Sequence, residues 1–207
     1  MSLARAIETG DLAQLPSRRD EDWRWTDLRG LIREMPPAPK RFEGELPAAR
    51  FEAFIEARVV SGAPPVRIAV APGENQTAAL RIVAAGEASA HVASATIEVA
   101  SGGRLTLFET YEGLAAGSVS EADIDIRLGN GARLERIVLA EDISGEGVLV
   151  SRADVGLAAN ATLSQTVLTA GARRQRIETR VRHPGQGASV RLDGVYLLAG
   201  QRHADIT

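Results

Sequence analysis

From Val66 onward, apolar and polar residues alternate with a period of two. Val66-Arg67-Ile68-Ala69-Val70, Leu80-Arg81-Ile82-Val83, Thr96-Ile97-Glu98-Val99 and Arg104-Leu105-Thr106-Leu107-Phe108-Glu109 all follow it. Such alternation predicts half-buried strands with one solvated face. The preceding stretch has a different pattern. Leu3, Ile7, Leu12 and Leu15 follow helical spacing until Pro16, and Thr26 to Glu34 reads as an N-cap with acid in the first turn of a short helix. Arg50 to Glu56 reads as a further helical turn with Phe51, Phe54 and Ile55 on one face. Gly62, Pro64 and Pro65 mark a boundary, dividing the chain into a helical or irregular region, 1–62, and a β region, 63–207.

Within the β region a motif of small turn residues followed by a strand recurs. It appears as Gly102-Gly103-Arg104-Leu105, Gly129-Asn130-Gly131-Ala132-Arg133-Leu134, Ala158-Ala159-Asn160-Ala161-Thr162-Leu163 and Gly185-Gln186-Gly187-Ala188-Ser189-Val190. Taking Gly103, Gly131, Asn160 and Gly187 as equivalent points, the spacings are 28, 29 and 27 residues. That length holds two strands of about seven residues with their turns, or one coil of a two-faced β-solenoid. Gly and Asn suit corners where φ turns positive. A sandwich or barrel with two strands per repeat shares the period. The solenoid is the better reading, because only 4% of the residues are aromatic and a narrow stacked interior is filled by Val, Ile, Leu and Ala.

Composition narrows the chemistry. The 207 residues contain no cysteine, which removes disulfides, thiolate metal sites and cysteine nucleophiles within this chain. Lys40 is the only lysine and lies in the linker Pro36-Pro37-Ala38-Pro39-Lys40, so Schiff-base and P-loop chemistry are set aside. A net charge of −3 with scattered arginines gives no basic face for nucleic acid or anionic membrane. No run approaches the roughly 18 consecutive apolar residues of a membrane span, and the N-terminus has no signal-peptide pattern. A cytoplasmic protein is the expectation.

Few residues suggest catalysis. His91 and His183 read as ordinary polar residues of a β protein. In Gln201-Arg202-His203-Ala204-Asp205, imidazole and carboxylate stand at i and i+2 on one strand face, an arrangement suited to proton transfer or metal ligation if further ligands arrive from elsewhere. Asp123 with Asp125, and Glu141 with Asp142, are carboxylate pairs that read as solvated strand faces. The glycine-rich turns lack the Gly-x-Gly-x-x-Gly of a dinucleotide loop. We assign no catalytic or cofactor residue. Both tryptophans fall in Leu15-Pro16-Ser17-Arg18-Arg19-Asp20-Glu21-Asp22-Trp23-Arg24-Trp25-Thr26, where Trp23, Arg24, Trp25 and Thr26 read as a packing anchor or a partner-docking site.

That stretch, with Leu28, resembles the N-terminal signature of the SufB/SufD family of iron–sulfur cluster assembly proteins, and is more similar to SufD; Trp25 stands where Tyr is commoner. The likeness continues through Leu107–Gly113, Ile126–Leu134 and Ser164–Ala172, and ends in Leu192–Asp205. The resemblance implies a flattened right-handed parallel β-helix behind a small helical region. It also implies a non-catalytic scaffold in complex with a SufB-like protein and a SufC-like ATPase, with the iron–sulfur cluster formed at the level of the complex and no cofactor held by this chain alone. Family members continue past the Gln-x-His-x-Asp segment to a helical domain that contacts the ATPase. The family's cluster-holding histidine lies in that later portion, so His203 does not inherit its role. The last coil, begun at Gly187, stops 20 residues later at Thr207, and the chain reads as the N-terminal portion of a longer product. An uncapped end would also support a homodimer. The rival reading is a β-solenoid carbohydrate-active or acyl-transfer enzyme.

Overall fold

The computed structural model describes residues 2–39, 45–48, 50, 55–60, 65–183 and 185–207, with the backbone alone for 55–60. Lys40, Phe51, Phe54, Gly62, Pro64 and Pro184 lie outside the described residues. The strands in chain order are β1 (Ile55–Val60), β2 (Val66–Val70), β3 (Asn75–Ala84), β4 (Ala90–Val99), β5 (Arg104–Gly113), β6 (Val119–Leu128), β7 (Arg133–Asp142), β8 (Val148–Leu157), β9 (Thr162–Gly171), β10 (Arg174–Arg182), β11 (Ser189–Tyr196) and β12 (Ala204–Ile206). Odd-numbered strands form one six-stranded sheet and even-numbered strands the other, each in sequence order and parallel throughout. The chain therefore winds between two facing sheets as a β-solenoid, which is the expected fold.

Register shows why the repeat was visible. Asn75, Arg104, Arg133 and Thr162 stand opposite one another on β3, β5, β7 and β9, a step of 29 residues per coil. One corner is a ladder of left-handed residues, Gly73, Gly102, Gly131, Asn160 and Gly187, with φ of 72°, 69°, 65°, 58° and 73°. The N–H of Gly102 donates to Asn130 O at 2.9 Å and that of Gly131 to Ala159 O at 2.8 Å, so each corner is hydrogen-bonded to the next coil. The equivalent point in the first motif is Gly102 rather than Gly103, which accounts for the apparent spacing of 28. Gly103 occupies the tight position after the corner, where a Cβ would sit 3.0 Å from Ala100 O and where the next coils place the small, buried Ala132 and Ala161.

The interior is stacked by row. Ile68, Ile97, Ile126 and Val155 lie in register and buried, as do Val70, Val99, Leu128 and Leu157, and they face the Leu105, Leu134, Leu163 row of the other sheet. Burial of such rows is the main force holding parallel coils together. At the far end β11 pairs with β9 alone among the described strands, and its Val190, Leu192 and Tyr196, in register with inward-facing residues of β9, are exposed.

The N-terminal region differs from its sequence pattern in three places. Helix α1 (Leu3–Thr9) is capped by the Ser2 hydroxyl, which accepts from Arg5 N, and is stopped by Gly10 at φ 70°, before Leu12 and Leu15. Helix α2 spans only Leu28–Leu31, capped by Asp27, whose carboxylate accepts from Gly30 N at 2.8 Å. Thr26 is not the cap because its hydroxyl is committed elsewhere, as described below. Third, Ile55 opens β1, which pairs with β3, so a division at residue 62 falls within the first coil. Leu3, Ala6, Leu15, Trp23, Leu28 and Ile32 form a second core against Val119, Val148 and Val150 of the even-numbered sheet. The N-terminal region thus covers the outer face of that sheet near its strand starts.

Candidate functional site

The two most distinctive segments of the sequence meet. Trp23, closing a single 3-10 turn at Glu21–Trp23, lays its indole over the Arg176 guanidinium of β10, with Cζ 4.7 Å from the ring centroid. Arg176 is 2% exposed. Its Nη1 donates to Asp205 Oδ2 at 2.7 Å, and its Nε and Nη2 donate to Glu178 Oε2 at 3.2 and 3.1 Å. The fully buried Thr26 donates its hydroxyl to the same Asp205 oxygen at 2.7 Å, and Thr207 donates to Asp205 Oδ1 at 2.9 Å. Burial pulls the Asp205 carboxyl upward, but the hydroxyls of Thr26 and Thr207 and the Arg176 guanidinium outweigh it and hold it below the usual carboxylate range. A buried cation with two carboxylates and an aromatic lid is a latch. It ties the N-terminal region to the last coil.

The remaining signature residues turn outward. Trp25 is 71% exposed, with the Arg24 guanidinium 5.0 Å from its ring centroid. The expected group of four therefore divides into a packing pair, Trp23 and Thr26, and an exposed pair, Arg24 and Trp25.

His203 and Asp205 are not hydrogen-bonded to each other, because both Asp205 oxygens are taken by Thr26, Arg176 and Thr207. His203 N donates to Ala172 O at 2.8 Å, and its Nε2 is buried with no hydrogen-bond partner among the described residues. Burial, aided by Arg174 and opposed by Asp205, pushes the imidazole below its ordinary pKa. No set of three His, Asp or Glu side chains placed for a metal occurs among the described residues. His91 lies inside the solenoid with Nε2 2.8 Å from Ser89 Oγ, and burial lowers its pKa to about 4, so the ring is neutral at pH 7. His183 is exposed.

The carboxylate pairs are engaged in ion pairs or turns. Asp123 accepts from Arg152 at 2.8 Å and Asp125 from Arg127 at 2.8 Å, along the outer face of the even-numbered sheet. Glu141 accepts from Arg50 at 3.0 Å, while Asp142 is buried and clamps its own loop by accepting from Gly147 N at 2.6 Å and Ser144 N at 3.1 Å.

A buried polar cluster inside the solenoid was not foreseen. Arg136, with no exposed surface, donates through Nε to Glu109 Oε2 at 2.9 Å, through Nη2 to Glu109 Oε1, and through Nη1 to Gln165 Oε1 at 2.7 Å. The Tyr111 hydroxyl donates to Glu109, and burial together with the Glu109 charge drives its pKa well up. The signal was phase: Glu109 continues the inward series Leu105, Leu107, and Arg136 stands between inward Leu134 and Val138.

A family model for the SufBD core domain of SUF-system FeS cluster assembly matches residues 81–207, more than half of the chain and nearly all of its coils. The chain belongs to the SufBD family. Its place is in SUF iron–sulfur cluster assembly. No match is found among curated proteins or among solved structures. The Trp23 signature precedes the matched residues, and the latch to Arg176 and Asp205 makes it part of the same structural unit as the SufBD core. Among the described residues, no helix is long and apolar enough to cross a membrane.

Proposed function

We propose that this SufBD-family chain is the SufD-like member: a non-catalytic, cytoplasmic scaffold that works in complex with a SufB-like protein and a SufC-like ATPase. The carrying observation is the complete absence of cysteine. Nascent iron–sulfur clusters are held mainly by thiolates, and these 207 residues have none to offer, which supports a division of labour in which a partner supplies the cluster ligands and this chain contributes shape, polar groups and binding surface. The cluster is cargo formed at the level of the complex.

Co-expression of the full gene product with SufB-like and SufC-like partners tests the assembly, and a stable complex recovered through a tag on this chain is expected. The division of labour is tested by anaerobic reconstitution with ferrous iron and sulfide. The lone chain is expected to retain no cluster after desalting, while its complex with the SufB-like protein does. Stoichiometric cluster absorbance on the lone chain overturns the scaffold reading.

A further inference from the structure

Arginines on the outer faces of the strands nearly all hold a carboxylate. Arg67 pairs with Glu98, Arg127 with Asp125, Arg152 with Asp123, Arg180 with Glu178, Arg182 with Asp154 and Arg191 with Asp193. Arg104 of β5 and Arg133 of β7 depart from this pattern, as does Arg174 of β10, whose Nε is buried rather than open to solvent. Arg104 and Arg133 are both exposed, neither forms an ion pair or side-chain hydrogen bond with any described residue, and they stand directly opposite each other in the parallel ladder. Adjacent strands lie about 4.8 Å apart, so the two like charges are neighbours in a position where cross-strand repulsion is unfavourable. The nearest acids by sequence and register, Glu74 and Glu135, make no ion pair with either.

The surroundings suit an anion. Asn75 and Thr162 extend the arginine row on the flanking strands, and Thr77, Thr106, Glu135 and Ser164 run alongside on the same outer face, Glu135 being the one carboxylate among them. Together these residues line an open depression of about 490 Å³. Two planar guanidinium forks side by side offer a double positive charge and more donors than one carboxylate can accept. A tetrahedral oxyanion carrying close to two negative charges, with three free oxygens, matches both forks at once, and the flanking hydroxyls can supply further donors.

We propose that Arg104 and Arg133 form a phosphoryl-binding site on the outer face of the odd-numbered sheet. Its ligand is inorganic phosphate or the phosphoryl group of a small phosphomonoester. The site is separate from the Trp23–Arg176 latch and does not depend on the scaffold reading.

The test is calorimetric titration of the 207-residue chain at constant ionic strength with inorganic phosphate, with glycerol phosphate as the ester arm, and with acetate and chloride as reference anions. Saturable binding of phosphate or the ester is expected, and the tighter of the two names the source. R104Q/R133Q should weaken it by at least about tenfold, since two charge-assisted contacts are lost. R127Q, on the other sheet, should leave it unchanged, and E135Q should tighten it severalfold by removing the nearest acid. All four positions are exposed, and circular dichroism confirms folding. The proposal is overturned if phosphate and ester give no more heat than chloride, if acetate binds equally well, or if R104Q/R133Q merely raises the melting temperature while phosphate binding persists.

Discussion

Replacing Arg176 with Met tests whether the N-terminal signature is a structural latch. Met keeps an unbranched stem against Trp23 but removes the charge that both Glu178 and Asp205 address. These acids have side chains only 5% and 13% exposed. Stranding buried charges costs about 3–5 kcal/mol, and losing the cation–π contact adds about 1 kcal/mol. The lower end applies, because Glu178 keeps Arg180 and Asp205 keeps the hydroxyls of Thr26 and Thr207. A loss of about 3 kcal/mol raises the opening equilibrium of the latched region roughly 100-fold. It should appear as undocking of the N-terminal region ahead of unfolding of the solenoid, whose rows stay packed. In a Trp25→Phe background Trp23 is the only tryptophan, so its emission should shift to the red in R176M, and amide exchange at Leu3–Ala6 and Leu28–Leu31 should accelerate by a similar factor. R176K, which keeps the charge without the fork, should fall between. Blue-shifted emission in R176M with exchange accelerated less than about threefold would refute the latch.

Glu109→Gln leaves the Arg136 cation buried without its counter-ion and should cost about 3–5 kcal/mol by urea unfolding; adding Arg136→Met should restore part of that loss, whereas strictly additive costs would mean the pair is not coupled. Glu121, 2% exposed, accepts from Ala4 N of α1 and faces Arg152 at 3.1 Å, and burial raises its pKa from 4.5 to about 7 against the pull of Arg152. The docked form therefore binds this proton more tightly than the undocked form, so docking of α1 is strongest below pH 4.5 and weakens as pH rises to about 7. Glu121→Gln should abolish that dependence of α1 amide exchange, and an unchanged profile would assign it to another group. Gly131→Ala meets no atom within 4 Å but must hold φ 65°, so its expected cost of about 1–2 kcal/mol is purely conformational; a neutral result in thermal melts would show that the corner relaxes.

Coil architecture was legible in the sequence because period-two alternation and corner residues are local requirements repeated every 29 residues. A chain that must turn with positive φ at each corner writes Gly or Asn there, and a row that must stack inward writes Ile, Val or Leu. The phase of Glu109 and Arg136 would place both inward, but neither was expected there, and only the stacked coils show that each is the other's partner, since they lie 27 residues apart. The latch was less legible. Nothing local in Trp23-Arg24-Trp25-Thr26 says which ring is buried, because that depends on the Arg176 guanidinium and on Asp205, 179 residues from Thr26. Likewise, the i, i+2 spacing of His203 and Asp205 suggested a pair, and the tertiary structure gave the carboxylate to Thr26, Arg176 and Thr207 instead. The sequence by itself determined the repeat, the strand faces and the absence of thiolates, all properties of neighbouring residues or of composition. Only the tertiary structure decided which charges are paired and which, at Arg104 and Arg133, are left facing solvent together, because the partners of a charge are set by strands a full coil away.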